Sequence, residues 1–367
     1  MTPSATATRR RTLVLLALAS LVVVACGGDG GQLTTEEPAP VDPTTAAPDA
    51  DGDAEAAEPV ADLPLVVATT SILGDLVGNV AGDQARVEVL MPAGVDPHGY
   101  QPAASDAALL READLVVVNG LGLEESLLGT LEAAEQEGAV VLHLAEQLDP
   151  IEFGEDGGED DHGHEEEDDH GHAEEGDHGH DEDDGHEHGP LDPHVWFDPV
   201  RMADAVHLVA DELATLGDGD WEMRASAYAE ELLEVHAELE AGFSGLPDDA
   251  RRLVTNHDAL GYLAARYDLE VIGTVIPGSS TQAEPDARAF AELIETVERA
   301  GVTAIFTENI ETAALAEQIA NEIGGRGGPE IEVVSLYTDA LGEPGSGAET
   351  YLGLLRENGR RIVEALG

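Results

Sequence analysis

The sequence predicts an α/β protein of two lobes, each with a roughly four-stranded parallel sheet flanked by helices, joined by one long helix. Three observations carry this. Apolar, β-branched runs alternate with stretches of helical spacing, the rhythm of βαβ units. The rhythm occurs twice, before and after the middle of the chain. Between the two passages, Trp221, Ala225, Tyr228, Leu232, Val235, Leu239 and Phe243 lie on one face of a single helical stripe. A helix over 220–243 spans about 36 Å. It predicts a body that rocks slightly rather than one that closes like a clam.

Taken in order, residues 1–25 read as a signal peptide: Arg9-Arg10-Arg11 followed by an apolar run, Thr12–Ala25, too short for a comfortable membrane span. The run ends Val23-Val24-Ala25-Cys26, which resembles a bacterial lipobox and implies cleavage before Cys26 and acylation of its thiol. The paired arginines are also compatible with twin-arginine export. Cys26 is the only cysteine, so a disulfide framework and a Cys-based zinc site are excluded. Residues 26–62 are rich in Gly, Thr, Pro, Ala, Asp and Glu and read as a disordered acidic tether. Its average reach is about 30–36 Å.

The N-terminal lobe is expected over 63–218. Its strands are Leu65–Thr69, Arg86–Leu90, Leu115–Asn119 and Ala139–Leu144, and its helices Ile72–Val80, Ala104–Glu112 and Leu123–Gln136. The interlobe helix occupies 219–244. The C-terminal lobe follows over 245–367, with strands Leu253–Asn256, Glu270–Val275, Ala304–Glu308 and Glu332–Tyr337. Helices are expected at Ala259–Tyr267, Glu284–Ala300 and Thr312–Ile323.

The formal net charge is −61, and all sixteen basic residues are Arg. Such a chain repels nucleic acid and anionic lipid, which sets both aside as partners and favours cations as ligands. Much of the charge sits in one run, 155–189, of nearly pure His, Asp, Glu and Gly. An eight-residue period places histidines at His162, His164, His170, His172, His178, His180, His186 and His188. No core can form there, so the run is expected to be disordered without a ligand. Regular His-Gly-His pairs read as an auxiliary loop that captures several metal ions weakly.

A second repetition is shorter. Asp96-Pro97-His98-Gly99-Tyr100-Gln101-Pro102 is echoed by Asp192-Pro193-His194-Val195-Trp196-Phe197-Asp198-Pro199. Proline restricts its own φ and the residue before it, so each His sits on a stiff turn with less freedom to lose on taking a ligand. In parallel α/β sheets ligands bind beyond the carboxyl ends of strands. Five side chains fall there: His98, His194, His257, Glu308 and Asp339. Three imidazoles with one carboxylate suit tetrahedral zinc, whereas Mn²⁺ prefers more carboxylate. Glu308 is either an alternative ligand to Asp339 or an acceptor for a ligand His. Asp192 and Asp198 are expected to hold turns, and Trp196-Phe197 to wall the site from water. His143 reads as a packed strand residue, and His207 and His236 as surface residues.

Four stretches make a resemblance specific: Met91–Pro102, Asp192–Pro199, Asn256–Tyr267 and Ser335–Leu341. From about 63 to 367 the chain resembles the metal-binding protein of a bacterial zinc ABC importer, in the family of zinc and manganese solute-binding proteins with a rigid interlobe helix. The resemblance implies His98, His194, His257 and Asp339 as ligands. His257, where manganese members tend to carry Glu, points to zinc. It further implies an extracytoplasmic, lipid-anchored, monomeric receptor on the outer face of the cytoplasmic membrane. That receptor would hand Zn²⁺ to an ABC permease, touch the membrane only through its anchor, and not be an enzyme. The alternatives are a manganese or broad divalent-metal receptor or adhesin-like lipoprotein, a metal buffer with no permease, and, remotely, a secreted zinc hydrolase. The last needs an open coordination position and a base, for which Glu308 is the one candidate.

Overall fold

Short apolar runs bounded by turns become strands buried on both faces when helices cover a parallel sheet. The computed structural model describes residues 63–153, 191–276, 278, 280–282, 287–310 and 312–367. The signal peptide, Cys26, the tether and the eight histidines of the acidic run lie outside the described residues. The first lobe contains β1 (Leu65–Thr70), α1 (Ser71–Ala81), β2 (Arg86–Met91), α2 (Ala104–Glu112), β3 (Leu115–Val118), α3 (Leu128–Gln136) and β4 (Val141–His143). Its sheet is parallel throughout, in the order β2-β1-β3-β4. All six residues of β1 are buried, as a central strand requires. The helix expected from Leu123 begins later, at Leu128. Gly120, Leu121 and Gly122 all have positive φ (86°, 54° and 83°), and the 3₁₀ turn Glu125–Leu127 precedes the α-helix. Such backbone cannot enter an α-helix directly.

Between the lobes run α4 (Pro199–Leu216) and α5 (Trp221–Ser244). The second lobe then adds β5 (Arg252–Thr255), α6 (Gly261–Tyr267), β6 (Glu270–Thr274), α7 (Ala287–Ala300), β7 (Ala304–Glu308), α8 (Ala314–Gly325), β8 (Glu332–Leu336) and α9 (Tyr351–Leu366). Its four strands are hydrogen-bonded as two parallel pairs, β5–β6 and β7–β8, with β5 lying beside β7. Within the β5–β6 pair the register shifts between Leu253 and Val254. Helices α4 and α9 are not among the helix ranges expected from the sequence.

The stripe on α5 is buried as its period requires, from Trp221 to Phe243. This helix packs on α1 of the first lobe, on α4, and on α6 and α9 of the second. One continuous apolar cluster therefore includes Val66 and Leu76, Leu232 and Val235 of α5, and Leu253, Phe306 and Leu354. Buried polar groups join the same parts. Asp75 on α1 accepts hydrogen bonds from the Tyr228 hydroxyl (3.0 Å) and the Tyr351 backbone N–H (3.1 Å). Burial pushes its carboxyl up, although both bonds favour the ionised form.

Asp198 anchors α4. Its carboxylate caps the helix by accepting from Val200 N (3.0 Å), and Pro199 occupies the first turn. It also accepts two bonds from Arg266, at 2.9 and 2.6 Å, and one from Arg201 at 2.6 Å. Burial alone raises an Asp, but the two arginines outweigh it and hold Asp198 below its usual range. Replacing Asp198 with Ala uncaps α4 and takes from Arg266 and Arg201 the buried carboxylate they share. The expected loss is about 3–5 kcal/mol, read as a lower urea midpoint at unchanged m-value.

Candidate metal centre

Four of the five side chains expected at the site lie beyond a strand's carboxyl end, and the fifth, Glu308, is the last residue of β7. His98 lies in the loop after β2, on a turn made by its own motif: the Asp96 carboxylate accepts from His98 N at 2.9 Å. The second copy repeats this, with Asp192 accepting from His194 N at 2.9 Å. The His194 turn is held further by the first lobe. Asn119, just after β3, donates from its side chain to the Pro193 carbonyl (2.8 Å). Buried Glu124 fixes Asn119 by accepting from Asn119 N (2.8 Å), Gly120 N (3.1 Å) and the Thr69 hydroxyl (2.7 Å). Ile151 and Leu191 flank the acidic run, and they are tied directly to this turn. Leu191 pairs with Glu152 in an antiparallel bridge, and Tyr262 donates to the Asp192 carbonyl at 2.8 Å. Trp196 stands edge-on to the His194 ring at 5.3 Å and donates to the Thr338 carbonyl at 2.9 Å. The wall expected from Trp196-Phe197 thus also ties the His194 turn to the segment bearing Asp339.

His257 follows β5, and Asp339 follows β8. Four of the five side chains converge. His98, His194, His257 and Asp339 are all buried and offer ligand atoms within 4.8 Å of one another. The Nε2 atoms of His194 and His257 are 3.1 Å apart. Carboxylate oxygens of Asp339 lie 3.9, 3.8 and 3.7 Å from Nε2 of His98, His194 and His257. Tetrahedral coordination at the usual zinc bond lengths needs ligand separations of about 3.3–3.5 Å, so small side-chain adjustments close the set on one ion.

Glu308 does not join the four. It ends β7, and its carboxylate bonds to Nδ1 and the backbone N–H of His257. Asp192 does the same for His194, 2.6 Å from its Nδ1. Donating Nδ1–H outward leaves the Nε2 lone pair aimed at the common centre, the arrangement that orients metal-binding imidazoles. His98 differs. Its Nδ1 has no hydrogen-bond partner among the described residues, the nearest carboxylate being Glu125 at 3.8 Å.

Electrostatics keeps His194 ready to coordinate. Burial, aided by the other two imidazoles, pushes His194 well below its usual value against the pull of Asp339. Asp339 is raised by burial. Asp192 is pushed up to about 7, again chiefly by burial. Glu308 is held low because its attraction to His257 outweighs its burial. Both oxygens of Asp339 and both ring nitrogens of His98 are buried without a hydrogen-bond partner. The Asp339 oxygens and the His98 Nε2 facing them are unpaired lone-pair donors, which fits a cation.

Of the other histidines, His143 corrects the sequence reading. It ends β4 with its side chain 35% exposed and bonds to Glu135 at 2.9 Å, because the strand stops there rather than continuing into the core. His207 pairs with Glu222, and His236 with the Tyr267 hydroxyl. The sequence reading missed the partners of Asp96: the Thr281 hydroxyl donates to it at 2.7 Å and the Gln282 amide at 3.2 Å. No motif marks those two residues.

A family model described as zinc-uptake complex component A, periplasmic, matches residues 66–365, both lobes together. The chain belongs to that family. Among zinc-uptake component A relatives, the zinc-binding protein TroA of Treponema pallidum is 30% identical over 83% of this chain and 89% of its own length. The manganese-binding lipoprotein MntA of Halalkalibacterium halodurans is 27% identical over 82% of this chain and 88% of its own. The structure of the periplasmic zinc-binding protein TroA superposes with a TM-score of 0.69 at 29% identity, covering 83% of this chain and 99% of that one.

The depressed His194 gives a test without metal. A His with a lowered folded pKa resists the proton that the unfolded chain accepts below about pH 6.5. Its contribution to stability is therefore full above that pH and lost as pH falls. Nitrogen chemical shifts of the ion-free protein should show His194 as the neutral Nδ1–H form well below pH 6.5. An imidazolium titrating at the ordinary value would contradict this.

Proposed function

We propose that the chain is an extracytoplasmic receptor that binds one Zn²⁺ between its lobes through His98, His194, His257 and Asp339 and delivers it to an ABC permease. The observation that carries this is the convergence of three imidazole nitrogens and one carboxylate on a buried point. A neutral His194 binds without first shedding a proton, and the Asp339 carboxylate supplies negative charge that partly balances the ion. The wall of Trp196 keeps water from competing. Four protein ligands close a tetrahedral shell and leave no open position for a substrate, so the arrangement suits capture and transfer rather than hydrolysis. On this reading Cys26 carries the lipid anchor, and the monomeric body works at the outer face of the cytoplasmic membrane. Residues 155–189 serve as the auxiliary metal-capture loop.

A manganese or broader divalent-metal receptor is the second reading, favoured by the likeness to a manganese-binding lipoprotein. The nitrogen-rich donor set argues for zinc. Calorimetric competition decides between them: Zn²⁺ should displace Mn²⁺ from the pocket, and the reverse should fail. Replacing His194, His257 or Asp339 with Ala should lower Zn²⁺ affinity by about a hundredfold or more, and Glu308→Gln or Asp192→Asn by about 10–100-fold. Undiminished binding in the ligand variants would end this assignment. Deleting 155–189 should leave one tight ion per chain while removing weaker ones.

Binding should also expel a proton. Asp192 without the ion titrates at about 7, and an ion on His194 favours its ionised form. Zn²⁺ therefore competes with that proton below neutrality, and apparent affinity falls with acidification. Calorimetry in buffers of different ionisation enthalpy should find about one more proton released near pH 6 than near pH 8.

A further inference from the structure

The two Asp-Pro-His turns are built alike but anchored differently. In the second, Asp192 serves His194 twice, at the backbone N–H and at Nδ1. In the first, Asp96 gives one oxygen to His98 N and none to the ring. Its other oxygen crosses to the second lobe, accepting from the Thr281 hydroxyl at 2.7 Å and the Gln282 amide at 3.2 Å. Thr281 is itself buried. Gln282 also donates to the Thr281 hydroxyl at 3.3 Å, so the three groups form one small network. Gly99 makes room for it: a methyl there would stand 2.7 Å from the Gln282 amide nitrogen. The second lobe thus holds the His98 turn through the Asp96 carboxylate, while the His98 ring has no carboxylate hydrogen bond of its own.

We propose that Asp96, Thr281 and Gln282 form an interlobe latch that positions His98, and that opening this latch frees His98 first and sets the rate of metal release. His194 and His257 are each clamped at Nδ1 by a carboxylate within their own support, and Asp339 is covered by the segment that Trp196 holds. His98 is the one imidazole of the three with no carboxylate hydrogen-bonded to its ring, and its turn meets the second lobe through the Asp96 network. A partner that separates the lobes slightly pulls Thr281 and Gln282 from Asp96 before it disturbs the other ligands. The latch residues are positioning residues; none is a proposed ligand.

This inference rests on the receptor reading, and the test separates the two. The full chain is loaded with Zn²⁺ alone, and release into excess chelator is followed by stopped flow. Losing two hydrogen bonds to a carboxylate, in Thr281→Val with Gln282→Leu, should speed release about tenfold or more. Thr281→Ser, which keeps the hydroxyl, should release at the original rate. Gln282→Ala, at an exposed position, should give an intermediate rate. In a His98→Ala background the paired latch substitutions should change nothing further, because the effect travels through His98. Release within about twofold of the original rate in both latch variants overturns the proposal, and so does acceleration that persists without His98. Failure of the unaltered chain to hold Zn²⁺ tightly, or undiminished binding by His257→Ala, overturns the receptor reading instead.

Discussion

Everything in the centre of this molecule depends on a polar deficit that protein atoms do not fill. Three imidazoles and a carboxylate meet in a buried space, and both Asp339 oxygens and both His98 nitrogens there have no hydrogen-bond partner among the described residues. Groups in that state cost stability unless something satisfies them. A divalent cation held there would take up the Asp339 carboxylate and one nitrogen of His98 together with the other two imidazoles. The fold tolerates the deficit because the surrounding supports are strong. Glu308 and Asp192 clamp two of the imidazoles, and Glu124, Asn119 and Trp196 fix the turns that carry the ligands.

The body that carries this deficit is stiff. A helix of 24 residues is packed on elements of both lobes, and one apolar cluster runs through them without interruption. Opening such a body widely would expose that shared core, which is expensive. Motions that control the ion must therefore be small and confined to the site's edge. The Asp96 network is placed at that edge, away from the core, and joins loops rather than helices. Rigidity in one part of the structure and a breakable contact in another are complementary features of a receptor that must hold its ion and then surrender it.

The donor set also connects charge to selectivity. The chain is extremely acidic, yet its pocket presents only one carboxylate to the centre, and the neighbouring acids are turned outward onto imidazole N–H groups. Long-range charge draws cations of any kind. The nitrogen-rich centre then distinguishes among them by ligand preference. Glu308 illustrates the division: moved onto the ion, it would make the site harder and more oxygen-rich, but bonded to His257 it strengthens an imidazole.

Much was legible in the sequence because it was written in local patterns. Continuous apolar, β-branched runs mark the strands, a period of 3.6 marks the α5 stripe, and the repeated Asp-Pro-His turns mark His98 and His194. His257, Glu308 and Asp339 were readable from their places after strand ends. Other features were not local. Helix α4 begins with Pro199 and is capped by Asp198, whose partners Arg201 and Arg266 lie before and after the interlobe helix in the sequence. Helix α9 carries Arg-rich turns that hide its apolar face. Whether Glu308 binds the centre or supports His257 depended on where β7 ends relative to β5. The latch partners Thr281 and Gln282 belong to no motif at all. The amino-acid order by itself determined which residue types stand at strand ends, since backbone periodicity and turn chemistry act over a few residues. Only the packed structure decided which carboxylate points inward and which contacts span the lobes, because those are set by distances between segments far apart along the chain.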